Sequence, residues 1–379
     1  MKRLALLCAL LCLGAADPYA EIEKIVRENF YDPSLRGLNW SHLCHEQQLL
    51  GGSPRLINQL LNRLQASHTR YFESNSQAFH ELCAIFRLKE ATPYRGFGWF
   101  LMETPDRRVF VKNVWPGFPA EKAHIQVGDE IEDIDGRSPW EVDHLRGKDV
   151  ALIKVRKRAG EMSRLTMVKV RDISPMEAFA EVERNSARLL GDGKTAYVAV
   201  PCYAGDSFQE TLIEQLSKPP LREAQGLILD LRDGWGGANP AYLNLFHRQV
   251  PSLELVARDG KLTNWDRQWR KPVVLLVNGS TTSGKEIFAY GLQKYGLGKV
   301  VGERTAGAVL AGRPYPLRNG GILYLAVADA RVDGERLEGR GVQPDLEVAR
   351  PIPFCQGADA QLEAALKLLD TMLAADRQL

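Results

Sequence analysis

The first part of the chain, residues 17–90, carries apolar side chains at helical spacing. One helix is indicated from Ser53 and Pro54 onward, because serine followed by proline is a common helix start and leucines recur at every fourth position after it. This helix runs toward His68 and is expected to deliver that histidine at the end of a rigid element. An earlier helix is predicted from one apolar face, made of Ile22, Ile25, Val26 and Phe30.

Short runs rich in β-branched residues replace the helical spacing between residues 94 and 173. Runs at 109–114, 150–155 and 165–170 predict the strands of a separate small β domain, followed by an amphipathic connection at 174–190. Strand and helix patterns then alternate, which predicts an α/β core with glycine-rich turns at the strands' carboxyl ends. The alternating segments are 197–200 (strand), 208–216 (helix), 227–231 (strand), 273–277 (strand) and 286–294 (helix).

The start of the sequence has the charged, apolar and small residues of a secretory signal in their usual order. Lys2 and Arg3 precede an apolar run from Leu4 to Ala16, which is shorter than the about 20 residues that a membrane-spanning helix needs. We therefore expect export to the periplasm or the extracellular space, cleavage after Ala16 and no stable membrane insertion. A buried N-terminal helix is the alternative.

Length and charge narrow the class of protein further. The 379 residues exceed one average domain, and 45% hydrophobic with 25% charged residues is typical of a globular protein. Of 49 basic residues, two lie in the predicted signal, so 47 remain against 47 acidic ones. Because nucleic-acid binding rests on a basic patch and the sequence has no segment dense in lysine and arginine, a nucleic-acid partner is excluded.

Four cysteines lie outside the predicted signal, at Cys44, Cys83, Cys202 and Cys355. In an exported protein they can form two disulfides in three arrangements, or remain buried thiols that act as small apolar side chains. Both interpretations stay open. The sequence has no Cys-x-x-Cys spacing among them, so neither a zinc site nor redox chemistry is predicted.

Ser283 is the first candidate for chemistry. It follows the apolar run 273–277 and precedes a helical pattern, so it is predicted at a strand-to-helix turn. The unpaired N–H groups of a first helical turn can bind an oxyanion, and the general geometry is that of a nucleophile elbow without its usual Gly-x-Ser-x-Gly signature. An ordinary helix cap also explains the segment well, and it is the favoured interpretation when this segment is considered alone.

A glycine-rich loop after the run 227–231 is the second candidate. The sequence from Asp233 to Gly237 contains three glycines, which let backbone N–H groups approach a ligand closely, as an oxyanion hole requires. A tight turn that needs positive φ angles is an equally good local explanation. A phosphate-binding loop is disfavoured because the loop lacks the Gly-Lys-Ser/Thr ending.

Four motifs in this order resemble the C-terminal processing and tricorn-core family of serine peptidases. They are Asp230 to Gly237, Thr281 to Glu286, Val301 to Gly307 and Glu338 to Asp345. The resemblance implies a ClpP/crotonase-like α/β peptidase core at 176–379 that ends in a C-terminal helix. It also implies an N-terminal helical domain at 17–90 after a signal peptide at 1–16, and a PDZ-like β domain inserted at 91–175.

The resemblance also implies a catalytic set. The processing branch pairs its serine with a lysine after the Gly-Glu-x-Thr motif, but this sequence has Gly307 followed by alanine there. Lys285 lies only two residues from Ser283, and side chains at that spacing on a helix do not face each other. The tricorn-like branch uses a Ser-His pair and a glutamate instead. Residues in the matching places are His68 as base, with Ser67 and Glu338 to orient it.

The implied function is an exported serine endopeptidase that hydrolyses protein or peptide substrates without a cofactor. The oxyanion would be held by N–H groups of Gly236 or Gly237 together with Gly284. In the PDZ-like domain, Gly96, Phe97 and Gly98 stand where a peptide end would bind by strand addition, for selection or gating. The alternative is a non-catalytic peptide- or lipid-binding protein that retains the fold. A homo-oligomer is left open.

Overall fold

A computed structural model describes residues 17–376 except 192, 248 and 265, so the predicted signal peptide lies outside the described residues. The described chain divides into two compact units. The first contains the residues through Ser74 together with Ala311–Asp329, and the second contains Asn75–Leu310 and the residues from Ala330 onward. The boundary predicted at residue 90 therefore falls inside the second unit.

The helices lie close to the positions that the apolar spacing predicts. Ser53 caps α3, because its hydroxyl accepts from the N–H of Leu56 and Pro54 opens the first turn. The helix bounds are α1 (Pro18–Asn29), α2 (Trp40–Leu50), α3 (Pro54–Asn62), α4 (Gln77–Ile85), α5 (Pro119–Lys122), α6 (Pro175–Ser186), α7 (Asp206–Leu216), α8 (Gly284–Lys294) and α9 (Ala360–Asp376).

The strands form several sheets. Their bounds are β1 (Arg70–Phe72), β2 (Tyr94–Gly96), β3 (Trp99–Glu103), β4 (Val109–Val114), β5 (Glu130–Ile134), β6 (Val150–Arg156), β7 (Arg164–Lys169), β8 (Arg171–Ile173), β9 (Arg188–Leu190), β10 (Thr195–Ala199), β11 (Gly226–Asp230), β12 (Glu254–Val256), β13 (Leu262–Asn264), β14 (Val273–Val277), β15 (Lys299–Gly302), β16 (Ala311–Pro316), β17 (Ile322–Ala328) and β18 (Leu346–Glu347).

The first unit combines α1–α3 with a small antiparallel sheet. This sheet has the order β1-β17-β16, so a strand from early in the chain pairs with a hairpin from late in it. The expectation that α3 delivers His68 is wrong, because the helix ends at Asn62. Gln65 and His68 both take positive φ angles, 47° and 52°, which no helix allows. His68 therefore lies in a loop just before β1.

The region predicted as a β domain forms a five-stranded antiparallel sheet in the order β3-β4-β5-β6-β7, with a separate pair of strands, β2 and β8. It belongs to the second unit together with the α/β core. The three predicted strand runs coincide with β4, β6 and β7, which confirms them. The sheet has an apolar core of its own, which includes Phe97, Val111, Ile131, Ile153 and Val168.

The α/β core is confirmed by a six-stranded sheet in the order β18-β15-β14-β11-β10-β9. Every pairing in it is parallel except that of β9 with β10. The central strands β11 and β14 are buried along their whole length, as their continuous apolar runs predict. The glycine loop follows β11, and the Ser283 turn follows β14, so the sheet brings both candidates to the same edge.

A buried ion pair fixes the end of β11. The guanidinium of Arg232 bonds to the carboxylates of Asp230 and Asp359, and Asp359 immediately precedes α9. This arrangement ties the start of the C-terminal helix to the strand that leads into the glycine loop.

The structure has Cys44, Cys83, Cys202 and Cys355 as free thiols, which favours the second of the two interpretations of the cysteines. The first three are buried.

In the part of the chain that the structure describes, no helix combines the length and the apolar character needed to cross a membrane.

Candidate active site

Ser283 stands between β14 and α8 with a strained backbone. Its φ and ψ are 57° and −129°, whereas an ordinary N-cap residue has extended backbone angles. Holding an L-residue in such a region costs on the order of 1–3 kcal/mol, and strain of this kind is concentrated at functional sites. This backbone favours the elbow over a simple helix cap, a distinction that the local sequence leaves open.

The carboxylate of Glu286 holds the turn in place. Its Oε2 accepts from the N–H groups of Ser283, at 3.1 Å, and Ala308, at 2.7 Å. Its Oε1 accepts from the hydroxyl of Thr305, at 2.5 Å, and from the N–H of Gly307, at 2.7 Å. Burial raises the pKa of Glu286, while these bonds act in the opposite direction. One buried side chain therefore fastens the Ser283 turn to the segment 305–308.

The predicted oxyanion glycines lie beside Ser283. A Cβ placed on Gly236 would come within 2.7 Å of the Ser283 Cβ and within 2.6 Å of the Thr282 carbonyl. A Cβ on Gly284 would come within 2.3 Å of the N–H nitrogen of Ala238. Only glycine fits either position without a shift of backbone. The structure thus brings Gly236, Gly237 and Gly284 together around the serine.

Two lysine side chains, one buried and one partly exposed, support this loop. Lys285 is fully buried, and its ammonium donates to the carbonyl oxygen of Asp233 at 2.8 Å. Burial lowers the pKa of Lys285 to about 8. From β4 of the β domain, Lys112 lies 3.3 Å from the Asp233 carboxylate and donates to the Ser280 hydroxyl at 3.2 Å. Both lysines therefore support loops of the site, a role that the sequence spacing did not reveal.

Glu338 and the Ser-His pair occupy different units. Glu338 shares a unit with Ser283, and its Oε2 accepts from the N–H groups of Val309, at 2.9 Å, and Leu310, at 3.3 Å. The preceding carbonyl, of Ala308, accepts from the N–H of Ser283. Ser67 and His68 belong to the first unit, where the His68 ring lies 5.2 Å from the Tyr324 ring.

The predicted peptide-binding residues of the β domain are firmly built into it. Gly96 ends β2 and pairs with Arg171 of β8. Phe97 is buried in the domain core, and its carbonyl accepts from the N–H of Ala120. The carbonyl of Gly98 accepts from the N–H of Trp115.

Among the described residues, no group of three or more His, Cys, Asp or Glu side chains could hold a metal ion.

A second buried carboxyl, Glu183 on α6, predicts a pH dependence of stability. Burial raises its pKa to about 9, whereas an unfolded chain releases this proton at about pH 4.3. Between these values the folded state holds a proton that the unfolded state has lost, so stability falls as the pH rises, by about 1.4 kcal/mol per pH unit. Glu183→Gln lacks this ionisation. Its free energy of unfolding, measured with urea, should therefore rise relative to that of the wild type by about 3 kcal/mol between pH 6 and pH 8. Parallel curves would contradict this expectation.

Comparisons with known proteins agree with the motifs. Residues 194–348 match the model of peptidase family S41. A carboxy-terminal-processing protease of Bartonella bacilliformis is 27% identical over 278 residues, which cover 68% of this chain and 62% of that protein. A tricorn protease homolog of Streptomyces coelicolor is 24% identical over 398 residues, which cover 93% of this chain and 32% of that protein. The chain therefore spans less than two thirds of the length of these relatives.

The solved structure of a photosystem II D1 C-terminal processing protease shares the fold. It superimposes with a TM-score of 0.52 at 21% identity and covers 90% of this chain and 97% of its own. The family match covers the two loops that meet at Ser283, and the names of both sequence relatives contain the word protease. By these findings, residues 194–348 of the chain are similar to peptidase family S41.

Proposed function

We propose that this protein is a serine endopeptidase and that Ser283 is its nucleophile. The observation that carries the proposal is the strained backbone of Ser283 at the start of α8, with Gly236 directly against it. In this arrangement, the Ser283 side chain lies beside the backbone of the glycine loop and at the start of the first turn of α8. Backbone N–H groups in such positions stabilise the oxyanion of a tetrahedral intermediate.

His68 is proposed as the general base, with Ser67 and Glu338 as the groups that orient it. The support is the resemblance of the Ser67-His68 pair and of the Glu338 segment to the tricorn-like branch. A serine hydroxyl is a weak nucleophile until a base takes its proton, and imidazole titrates near neutral pH.

The reaction then has two steps. Ser283 Oγ bonds to the scissile carbonyl carbon, its proton passes to His68, and the oxyanion is held by the N–H groups of Gly236 and Gly284, with Gly237 adjacent. His68 gives the proton to the leaving amine as the peptide C–N bond breaks. Water, deprotonated by His68, then hydrolyses the acyl-enzyme and restores the hydroxyl of Ser283.

Labelling with a fluorophosphonate tests this proposal, because the probe reacts only with an activated serine. The wild-type protein should be labelled, and the labelling rate should rise with pH through one ionisation between about pH 6 and pH 7, the range of histidine. His68→Ala should lower the rate by at least about a hundredfold. A wild-type protein that folds but is never labelled would instead support the non-catalytic peptide- or lipid-binding alternative.

The β domain is proposed to be PDZ-like and to bind an extended peptide end beside Gly96–Gly98 by strand addition. Its support is the resemblance of this loop, together with the contact of β4 with the site through Lys112. Titration of the full chain with a short peptide, as free carboxylate and as C-terminal amide, tests this role. Preferential binding of the free carboxylate is expected, and equal affinities would contradict carboxylate recognition.

Export from the cytoplasm is proposed from the first 16 residues, and sequencing of the mature N-terminus tests it.

A further inference from the structure

The glycine loop beside Ser283 has one side chain in its middle. Between Asp233 and Ala238 the sequence is Gly234-Trp235-Gly236-Gly237, so Trp235 is the only residue of the four with a side chain. Three glycines give the backbone more conformational freedom than any other residues would. Among these four residues, only Trp235 can therefore make a side-chain contact.

The indole of Trp235 is anchored to a buried carboxylate. Its Nε1–H donates to Oε2 of Glu81, on α4, at 2.7 Å. On the backbone side, the N–H of Trp235 donates to the Pro201 carbonyl at 2.8 Å, and the N–H of Tyr203 lies 3.2 Å from the Gly236 carbonyl oxygen. Backbone bonds and the side-chain bond to Glu81 thus both hold Trp235 in place.

Glu81 is built to receive this bond. It is 2% exposed, and its other oxygen, Oε1, accepts from Gln77 Nε2 at 2.8 Å and from the Tyr94 hydroxyl at 3.5 Å. Burial raises the pKa of Glu81 to about 7. Burying a carboxyl is costly unless donors surround it, and here the donors come from α4, from β2 and from the loop next to Ser283.

We propose that Glu81 is a positioning residue that acts through Trp235, because the bond between them fixes the backbone of Gly236 against Ser283. This inference deepens the proposed function and rests on it. A loop that loses the bond keeps its fold but places its N–H groups less accurately. Small misplacements of catalytic groups cost up to about a hundredfold in rate.

The test compares two Trp→Phe variants that remove the same atoms. Trp235→Phe loses the bond to Glu81. Trp269→Phe, in the core, is the control, because its indole N–H has no acceptor among the described residues. Fluorophosphonate labelling over a range of probe concentrations separates the maximal rate from the half-saturating concentration, and thermal unfolding reports stability. We expect Trp235→Phe to lower the maximal rate by about tenfold to a hundredfold with little change in half-saturation, and Trp269→Phe to leave both unchanged.

Variants of Glu81, alone and combined with Trp235→Phe, test the other partner of the bond. Glu81→Leu removes the bond to Trp235 together with those from Gln77 and Tyr94, so it should slow labelling at least as much as Trp235→Phe. The double variant should be no slower than Glu81→Leu, because the bond to Trp235 is already lost in that variant. Glu81→Gln keeps a carbonyl that can accept the indole N–H, so it should recover most of the rate. If the wild type is labelled and Trp235→Phe reacts as fast as Trp269→Phe, the positioning role is overturned while the proposed function stands. If the folded wild type is not labelled, both fall.

Discussion

Replacing Ser283 by alanine should abolish fluorophosphonate labelling and reduce peptide hydrolysis by at least about a thousandfold. The reason is chemical, because the variant lacks the only atom that the proposed mechanism makes covalent with the substrate. The fold should persist, since the loss of one hydroxyl at a helix start costs about 1 kcal/mol. Mass spectrometry of the labelled protein measures the first effect, and urea unfolding measures the second.

Ser280→Ala is the matched control. Ser280 lies three residues earlier in the same turn, and its hydroxyl accepts from Lys112. That variant should keep the larger part of the labelling. Full labelling of Ser283→Ala, or a Ser280→Ala protein as inactive as Ser283→Ala, would contradict the assignment of Ser283 as the nucleophile.

The second large effect is expected at Glu286, although this residue is not expected to touch a substrate. Glu286→Ala removes the acceptor of the donors from Thr305, Gly307 and Ala308, and it leaves the N–H of Ser283 with the Ala308 carbonyl alone. Buried donors that lose a charged acceptor cost about 1–3 kcal/mol each before the structure relaxes, so a loss of about 3 kcal/mol or more in the free energy of unfolding is expected. Labelling should fall by at least about a hundredfold, because the Ser283 turn loses its clamp.

Glu286→Gln should not rescue the protein fully. An amide has one accepting end, and its NH₂ end would face two of the four donors. Urea unfolding and labelling rates should therefore place it between the wild type and Glu286→Ala. The control is Glu214→Ala on the exposed face of α7, where the partner is Lys218 in a surface ion pair, and both measurements should stay unchanged. Wild-type rates in Glu286→Ala would show that the clamp has no part in reactivity.

The strands of the α/β core could be predicted because burial leaves a direct mark on sequence. The runs at β11 and β14 are apolar throughout, and this pattern is typical of a parallel strand covered on both faces. The meeting of the glycine loop with Ser283 followed from the rule that parallel strands end at one edge. Local pattern and topology were sufficient for both.

The supporting contacts could not be predicted in this way. Trp235 and Glu81 are 154 positions apart, and nothing in either local sequence marks the other as a partner. The positive φ angle of Ser283 could not be predicted from residue type. Positive φ angles are usual for glycine and enriched for asparagine and aspartate, whereas this residue is serine. The same applies to His68, whose positive φ lies in the loop where a longer helix was predicted.

The sheet of the first unit also bears on the order in which the chain folds during synthesis. Tyr71 of β1 pairs with Leu323 of β17, so the ribosome makes all of residues 75–310 before this partner exists. Until then β1 lacks its only partner strand in this sheet, and an unpaired strand is the kind of surface that pairs with wrong partners. The segment that is translated first is therefore completed late, after a pairing between strands that are far apart in sequence.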